Sequence, residues 1–206
     1  MDIDLEQLND AERYKLLMSS VVPRPIALVT SVCTNGIVNA APFSLFNIIA
    51  ATPPTVVVSI DTRRSGKPKD TGANILDTGE FVVNLVNEQM DEQMNICAAD
   101  IPSEEDELLL AGFDTKPAQR VRPPLIAQAP VSLECKKAGS VDIGNNRTVI
   151  VGTILHFHIQ DQFYVPEKGY VLAEKMQLIA RMHGRGWYSR TTDLFQLKRP
   201  DPERYR

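Results

Sequence analysis

No apolar run in this chain approaches the roughly 18 residues that a membrane-crossing helix needs. A secretory leader is not expected either, since the opening MDIDLEQLNDAERYKLL is acidic and amphipathic where a leader is basic and then apolar. Cysteine is scarce: Cys33, Cys97 and Cys135 are odd in number and form no Cys-x-x-Cys pair. They are expected to be reduced, in a cytoplasm-like compartment, and to act as small core residues rather than nucleophiles. There is no excess of positive charge, because 22 Lys and Arg face 26 Asp and Glu for a net charge of −4. That balance argues against a broad nucleic-acid footprint. The glycine signatures of common sites are also missing. No Gly-x-Gly-x-x-Gly follows a strand, which argues against a Rossmann nicotinamide site, and no Gly-x-Ser-x-Gly elbow exists. Ser65-Gly66-Lys67-Pro68 only mimics the end of a P-loop, since Pro68 stands where a magnesium-binding hydroxyl is required.

What is present suits a globular chain. With 43% apolar and 23% charged residues over 206 positions, one domain spanning 1–206 is expected, with a core over about 12–190. Such a chain buries about 70% of its unfolded surface and needs no disulfides. Tyr14, Leu17, Met18 and Val21 recur at helical spacing, Asn9 or Asp10 is placed to cap, and Pro23 stops the helix. Ile26–Val32 reads as a buried strand, and Thr34-Asn35-Gly36 as a turn into a second strand near Ile37. Thr55–Ile60 is β-branched almost throughout and is expected to be buried on both faces. Lys69–Asp77 reads as a helix ended by Thr78-Gly79, and Phe81–Val86 as a strand. Helices are expected over Glu88–Ala99 and over Ser103–Ala111, the latter with Ser103 as N-cap. Strands follow over Val131–Lys137 and Arg147–Gln160, and the tail 198–206, KRPDPERYR, is expected to fray. At least five β-rich segments alternate irregularly with short helices, without βαβ spacing or repeats. The fold class is therefore mainly β with helical insertions, an antiparallel barrel.

His156 and His158 lie at i and i+2 on a strand and share a face. With His183 the only other histidine, they read as two half-exposed strand residues, and no metal is expected. Three polar, backbone-rich stretches remain. Pro23-Arg24-Pro25 leads into a strand ending Thr30-Ser31. Asn39-Ala40-Ala41-Pro42-Phe43-Ser44-Leu45-Phe46-Asn47 follows, and then Lys67-Pro68-Lys69-Asp70-Thr71. Hydroxyls at a strand end and lysines at a helix start suit a phosphate, and small residues admit a flat ring against the backbone. A bulged strand and an ordinary helix cap account for the same residues equally well.

Taken together and in order, PRPIALVTS (23–31), Gly36, NAAPFSLFN (39–47), PPTVVVSI (53–60), KDTGANI (69–75) and GEFVVNLV (79–86) resemble the flavin reductase-like family, FMN-binding split-barrel proteins that include flavoredoxin. The late strand 148–159 and LIARMHGRGWYS (178–189) resemble the family's closing elements, with His183 where a glycine is expected. The resemblance implies a six-stranded antiparallel split barrel and a homodimer with flavin at or near the subunit interface. It places Thr30 and Ser31 beside the flavin, and Ala41, Pro42, Ser44 and Phe46 along the isoalloxazine. Lys69, Asp70 and Thr71 serve the ribityl-phosphate end, with Arg24 as a second positive charge and Asn47 at the ring's polar edge. The implied cofactor is FMN, with FAD as an alternative, and NAD(P)H is the transient hydride donor, with His156 near the nicotinamide. The implied activity is NAD(P)H:flavin reduction with electrons passed to a monooxygenase or another acceptor. The alternatives are an FMN electron carrier with little NAD(P)H activity and a non-enzymatic ligand-binding barrel.

Overall fold

The computed structural model describes residues 1–63, 66, 68–144 and 146–205, with the backbone alone at 205. Ser65 and Lys67, two positions of the P-loop-like stretch, lie outside the described residues. The central sheet contains β1 (Ala27–Val32), β2 (Val38–Phe43), β3 (Phe46–Ala51), β4 (Pro54–Asp61), β5 (Glu80–Leu85), β6 (Val131–Ile143) and β7 (Arg147–Ile159). Their order is β2-β1-β5-β6-β7-β4-β3, and every neighbouring pair is antiparallel. The two edge strands, β2 and β3, are consecutive in sequence and separated by only Ser44 and Leu45. That short link rolls the sheet into a barrel, and the Ser59 N–H donates to the Leu45 carbonyl across the corner at 2.8 Å. Seven strands replace the expected six because the segment 38–51 breaks at this corner and pairs with β1 on one side and β4 on the other.

Strand alternation divides the apolar side chains between two cores. Ala27 and Val29 point into the barrel with Phe43, Val56, Val58, Ile60, Phe81, Val83, Leu133 and Ile150. Leu28 and Ala40 point outward, under Met90, Met94, Leu108, Phe113 and Ile126. All of β1 is therefore buried, as its sequence implies. Strand β4 differs from expectation: Val56, Val58 and Ile60 are buried, while Val57 and Ser59 are only half-covered. The helices pack over β1 and β2, leaving the outer face of β4 without a full second layer. Cys97 and Cys135 are buried, Cys33 is half-buried, and all three are free.

Helix α1 (Asp10–Ser20) has the Asn9 capping box, in which Asn9 and Glu12 exchange backbone bonds at 3.0 Å. Helix α2 (Asp70–Thr78) ends on Gly79, whose φ of 74° is the left-handed turn that favours glycine. Helix α3 (Asp91–Ile96) is shorter than expected and opens on a 3-10 turn at Glu88–Met90. Helix α4 (Glu107–Ala111) starts later than expected. Asp106 is its N-cap, accepting from the Leu108 N–H at 2.8 Å, because the Ser103 hydroxyl is turned away to Asp70. Beside the barrel, Arg24–Pro25, Ile179–Arg181 and Tyr188–Arg190 form a three-stranded sheet in which Arg24 pairs with Arg181.

Candidate functional site

The outer edge of β2 faces the N-terminal end of α2 across a recess of about 410 Å³, within the usual range for small-ligand sites. Ala41 and Pro42 lie along one wall, Lys69, Asp70 and Thr71 along another, and Arg63, Glu107 and Arg181 complete it. The sequence creates this edge in a simple way. The Ala40 N–H points away from β1 and is taken by Glu107 Oε2 at 3.1 Å. Pro42, two residues on, has its missing N–H on the same side, so the strand's outer edge carries no unsatisfied donor there.

Behind the wall, the Asn39 amide is best oriented with its nitrogen donating to Glu107 Oε1 at 3.0 Å and its oxygen accepting from the Thr71 hydroxyl at 2.7 Å. Burial pushes the Glu107 carboxyl above its ordinary range, and Asp70 and Asp106 add to this against the backbone N–H groups that oppose it. Burial also raises the neighbouring Cys97 thiol to about 12, with Glu107 as the next contributor. Asp70 is paired with Arg63 and accepts from Ser103 at 2.9 Å. Lys69 is half-buried and has no ion pair among the described residues. The cationic lining is thus Lys69, Arg181 and the half-engaged Arg63.

An adjoining hollow of about 710 Å³ shares Tyr14 and Arg181 with the recess, and recess and hollow together are termed the trough. It is lined by Arg24, Ser44, Met182 and His183. Arg24 is buried, and its guanidinium donates to the carbonyls of Met18 (2.7 Å), Val21 (3.0 Å) and Met182 (3.0 Å). This guanidinium clamps the C-terminal end of α1. Arg181 donates to the Gly184 carbonyl at 3.0 Å and lies 4.8 Å over the Tyr188 ring.

The residues expected from sequence separate into groups. Ala41, Pro42, Lys69, Asp70 and Thr71 share the recess, and Arg24 and Ser44 line the adjoining hollow. Thr30 and Ser31 are fully buried; the Thr30 hydroxyl donates to the Pro124 carbonyl at 2.6 Å, and Ser31 accepts from Asn74 at 3.1 Å. Phe46 belongs to the barrel core and, with Asn47, borders a separate apolar groove of about 480 Å³ alongside Ile48, Phe157 and Leu178. His156 stands 4.6 Å from His158, ring to ring, and His158 Nε2 is 2.5 Å from Oε1 of the fully buried Glu134. Among the described residues, no group of three or more His, Cys, Asp or Glu is arranged around a metal-sized gap. Sequence reading assigned no role to Tyr14, Asn39, Arg63, Glu107 or Arg181. Asn39 and Arg181 sit inside the motif stretches, whereas Glu107 lies in a helix with no motif at all.

The family model described as "Flavin reductase like domain" matches residues 18–172. The chain is 36% identical to the 2-nitrobenzoate 2-nitroreductase NbaA of Pseudomonas fluorescens, over 97% of this chain and 96% of that one, with a TM-score of 0.89. It is 33% identical to nitrilotriacetate monooxygenase component B from Bacillus cereus, over 96% and 98% of the two chains, with a TM-score of 0.90. Among curated relatives, YwrF of Bacillus subtilis is 35% identical over 200 residues, 95% of this chain and 97% of that protein.

Proposed function

The chain belongs to the flavin reductase-like family, and we propose that it is an NAD(P)H-dependent flavin oxidoreductase that holds FMN in the trough between β2, α2 and Arg181. The observation that carries this reading is the pairing of an unspent cation, Lys69, at the start of α2 with a small-residue strand wall, Ala41 and Pro42. The donor set fits an FMN-like shape. Lys69, Arg63 and the first N–H groups of α2 would hold a phosphate. The outer edge of β2 lets a planar ring approach the backbone, and Ser44 and Arg181 would lie along its far end.

When bound, the flavin supplies hydride acceptance from a nicotinamide and onward delivery of electrons. The chain's own part is to bind, orient and exclude water. Thr30 and Ser31 contribute from behind the wall, since their hydroxyls fix β1 to the 124 loop and to α2. Arg24 contributes by keeping α1, and with it Tyr14, against the trough. His156 is proposed only as a donor near the nicotinamide, on its position in β7. Electrons would pass to a monooxygenase or another acceptor protein, and the working form would be a homodimer.

The test is the absorption spectrum of the purified chain after FMN is added and the excess removed. Retained flavin bands support the site, and NADH or NADPH oxidation with added flavin then supports the reductase. Bound FMN without turnover would make the chain an electron carrier, and a colourless chain would overturn the flavin reading. Lys69→Ala is expected to weaken FMN binding roughly tenfold or more, as loss of a charge-assisted bond does, and to leave riboflavin binding unchanged.

A further inference from the structure

The trough has a buried carboxyl that flavin binding leaves unused. Glu107 projects from α4 to the outer edge of β2, where it accepts from the Ala40 N–H and, through Asn39, meets the Thr71 hydroxyl of α2. Three elements that wall the recess are joined by this single chain of side chains. Its middle member is an amide, which can serve in either direction.

We propose that Glu107, Asn39 and Thr71 form a proton-linked relay that decides whether the Thr71 hydroxyl is free to donate to the anionic group of a ligand in the recess. Glu107 is then a positioning residue, acting through Asn39. With Glu107 ionised, its two oxygens accept from Ala40 at 3.1 Å and Asn39 at 3.0 Å, and the Asn39 oxygen accepts the Thr71 O–H at 2.7 Å. Thr71 has then spent its only donor. With Glu107 protonated, the new O–H donates to the Asn39 oxygen and the amide turns over. Its nitrogen then donates to Thr71 Oγ1 across the same 2.7 Å. The Thr71 O–H is then free to turn toward the recess, which Thr71 lines although it is only 1% exposed. The Glu107 carboxyl and the Asn39 oxygen keep partners in both states, whereas the Thr71 O–H of the protonated state finds its acceptor only in a bound ligand.

The charged and titratable groups around Glu107 come from each neighbouring element. Asp106 lies on its own helix. Asp70, paired with Arg63, and Lys69 face it from α2. Cys97 donates to the Glu107 carbonyl at 3.8 Å, and Asp100 and Arg181 lie across the recess. Burial favours the protonated carboxyl above the ordinary range of a glutamate, against the backbone N–H groups that favour the ionised form.

This proposal rests on the flavin reading for the identity of the ligand, and FMN is the probe. FMN dissociation constants are measured from about pH 5 to about pH 9 for the wild-type chain, Glu107→Gln and Thr71→Val. The amide that Glu107→Gln introduces reproduces the protonated arrangement, with its oxygen accepting from Ala40 and its nitrogen donating to Asn39. Ionisation of FMN itself is common to all three chains and cancels in the ratios. The ratio of the wild-type constant to that of Glu107→Gln is expected to be near one at the acid end and to rise to about tenfold at the alkaline end. Thr71→Val is expected to bind weakly throughout and to lose the wild-type's alkaline weakening. Because it reads the same relay from the other end, it decides the question even if Glu107→Gln fails to fold. A wild-type-to-variant ratio that stays flat with pH overturns the relay and leaves the flavin site standing. A wild-type chain that binds no FMN at any pH overturns the flavin reading and the relay together.

Discussion

A single missing methyl group holds the middle of the barrel open at Gly152. A Cβ built there would overlap Phe81 Cζ, 2.9 Å from Cε1 of the same ring and 3.3 Å from Val56 Cγ2. Phe81 is fully buried and cannot swing away, so Gly152→Ala forces β7 off its register with β6, which already shifts at Val151/Gly152. Over-packing of this kind costs about 1–3 kcal/mol, and a thermal melt is expected to fall by several degrees. Residues of this sort are hard to read from sequence, since Gly152 and Phe81 meet only after two long-range pairings have formed. The same holds for the candidate site. Lys69, Thr71, Ala41 and Pro42 were legible because each sits in a short, distinctive stretch. Glu107 was not, because its bond to Ala40 closes a separation of 67 residues.

Helix α1 has little holding it in place. It buries no residue, and its apolar stripe of Tyr14, Leu17 and Val21 is exposed. What ties its C-terminal end to the barrel is the Arg24 guanidinium, through the Met18 and Val21 carbonyls. Arg24→Ala is therefore expected to raise amide hydrogen exchange across 10–20 roughly tenfold, from the loss of charge-assisted bonds. Exchange in β1 and β5 should stay unchanged. Equal acceleration in the sheet would mean that Arg24 supports the barrel and not the helix. The helix itself was legible, since its apolar spacing, its candidate caps at Asn9 or Asp10 and its terminating proline are local signals. The start of α4 was not, because Ser103 is drawn to Asp70 by tertiary contact and Asp106 takes its capping role. The extension of β6 beyond Lys137 was likewise hidden. Gly139 and Ser140 carry no strand pattern and are held extended by pairing with β7, while Ala138 is the unpaired residue at the register shift.

At the scale of the whole molecule, one face of the barrel carries exposed apolar side chains. The groove beside Phe46 and Asn47 runs into Ile48 and Phe157, which are 50% and 52% exposed, and Ile49 is 56% exposed on the same edge strand. β3 pairs with β4 on one side and has no strand hydrogen-bonded to its other edge among the described residues, a combination that globular chains cover or charge. Nothing charged protects it here, since β3 reads Phe-Asn-Ile-Ile-Ala-Ala. A second copy of the chain is the simplest cover, and the homodimer proposed above follows from that surface. A dimer that set one copy's groove against the other copy's trough would let Phe46 and Asn47 serve a flavin despite lying outside the recess. Light scattering is expected to give twice the 22.9 kDa chain mass. Phe157→Asp and Ile48→Asp, each placing a charge on an exposed side chain, should reduce this to one chain mass without lowering helix or strand content. Their FMN affinity should fall with dissociation and recover as protein concentration restores the dimer. A monomeric variant with undiminished FMN affinity would confine the flavin to the recess of one chain and remove Phe46 and Asn47 from its binding.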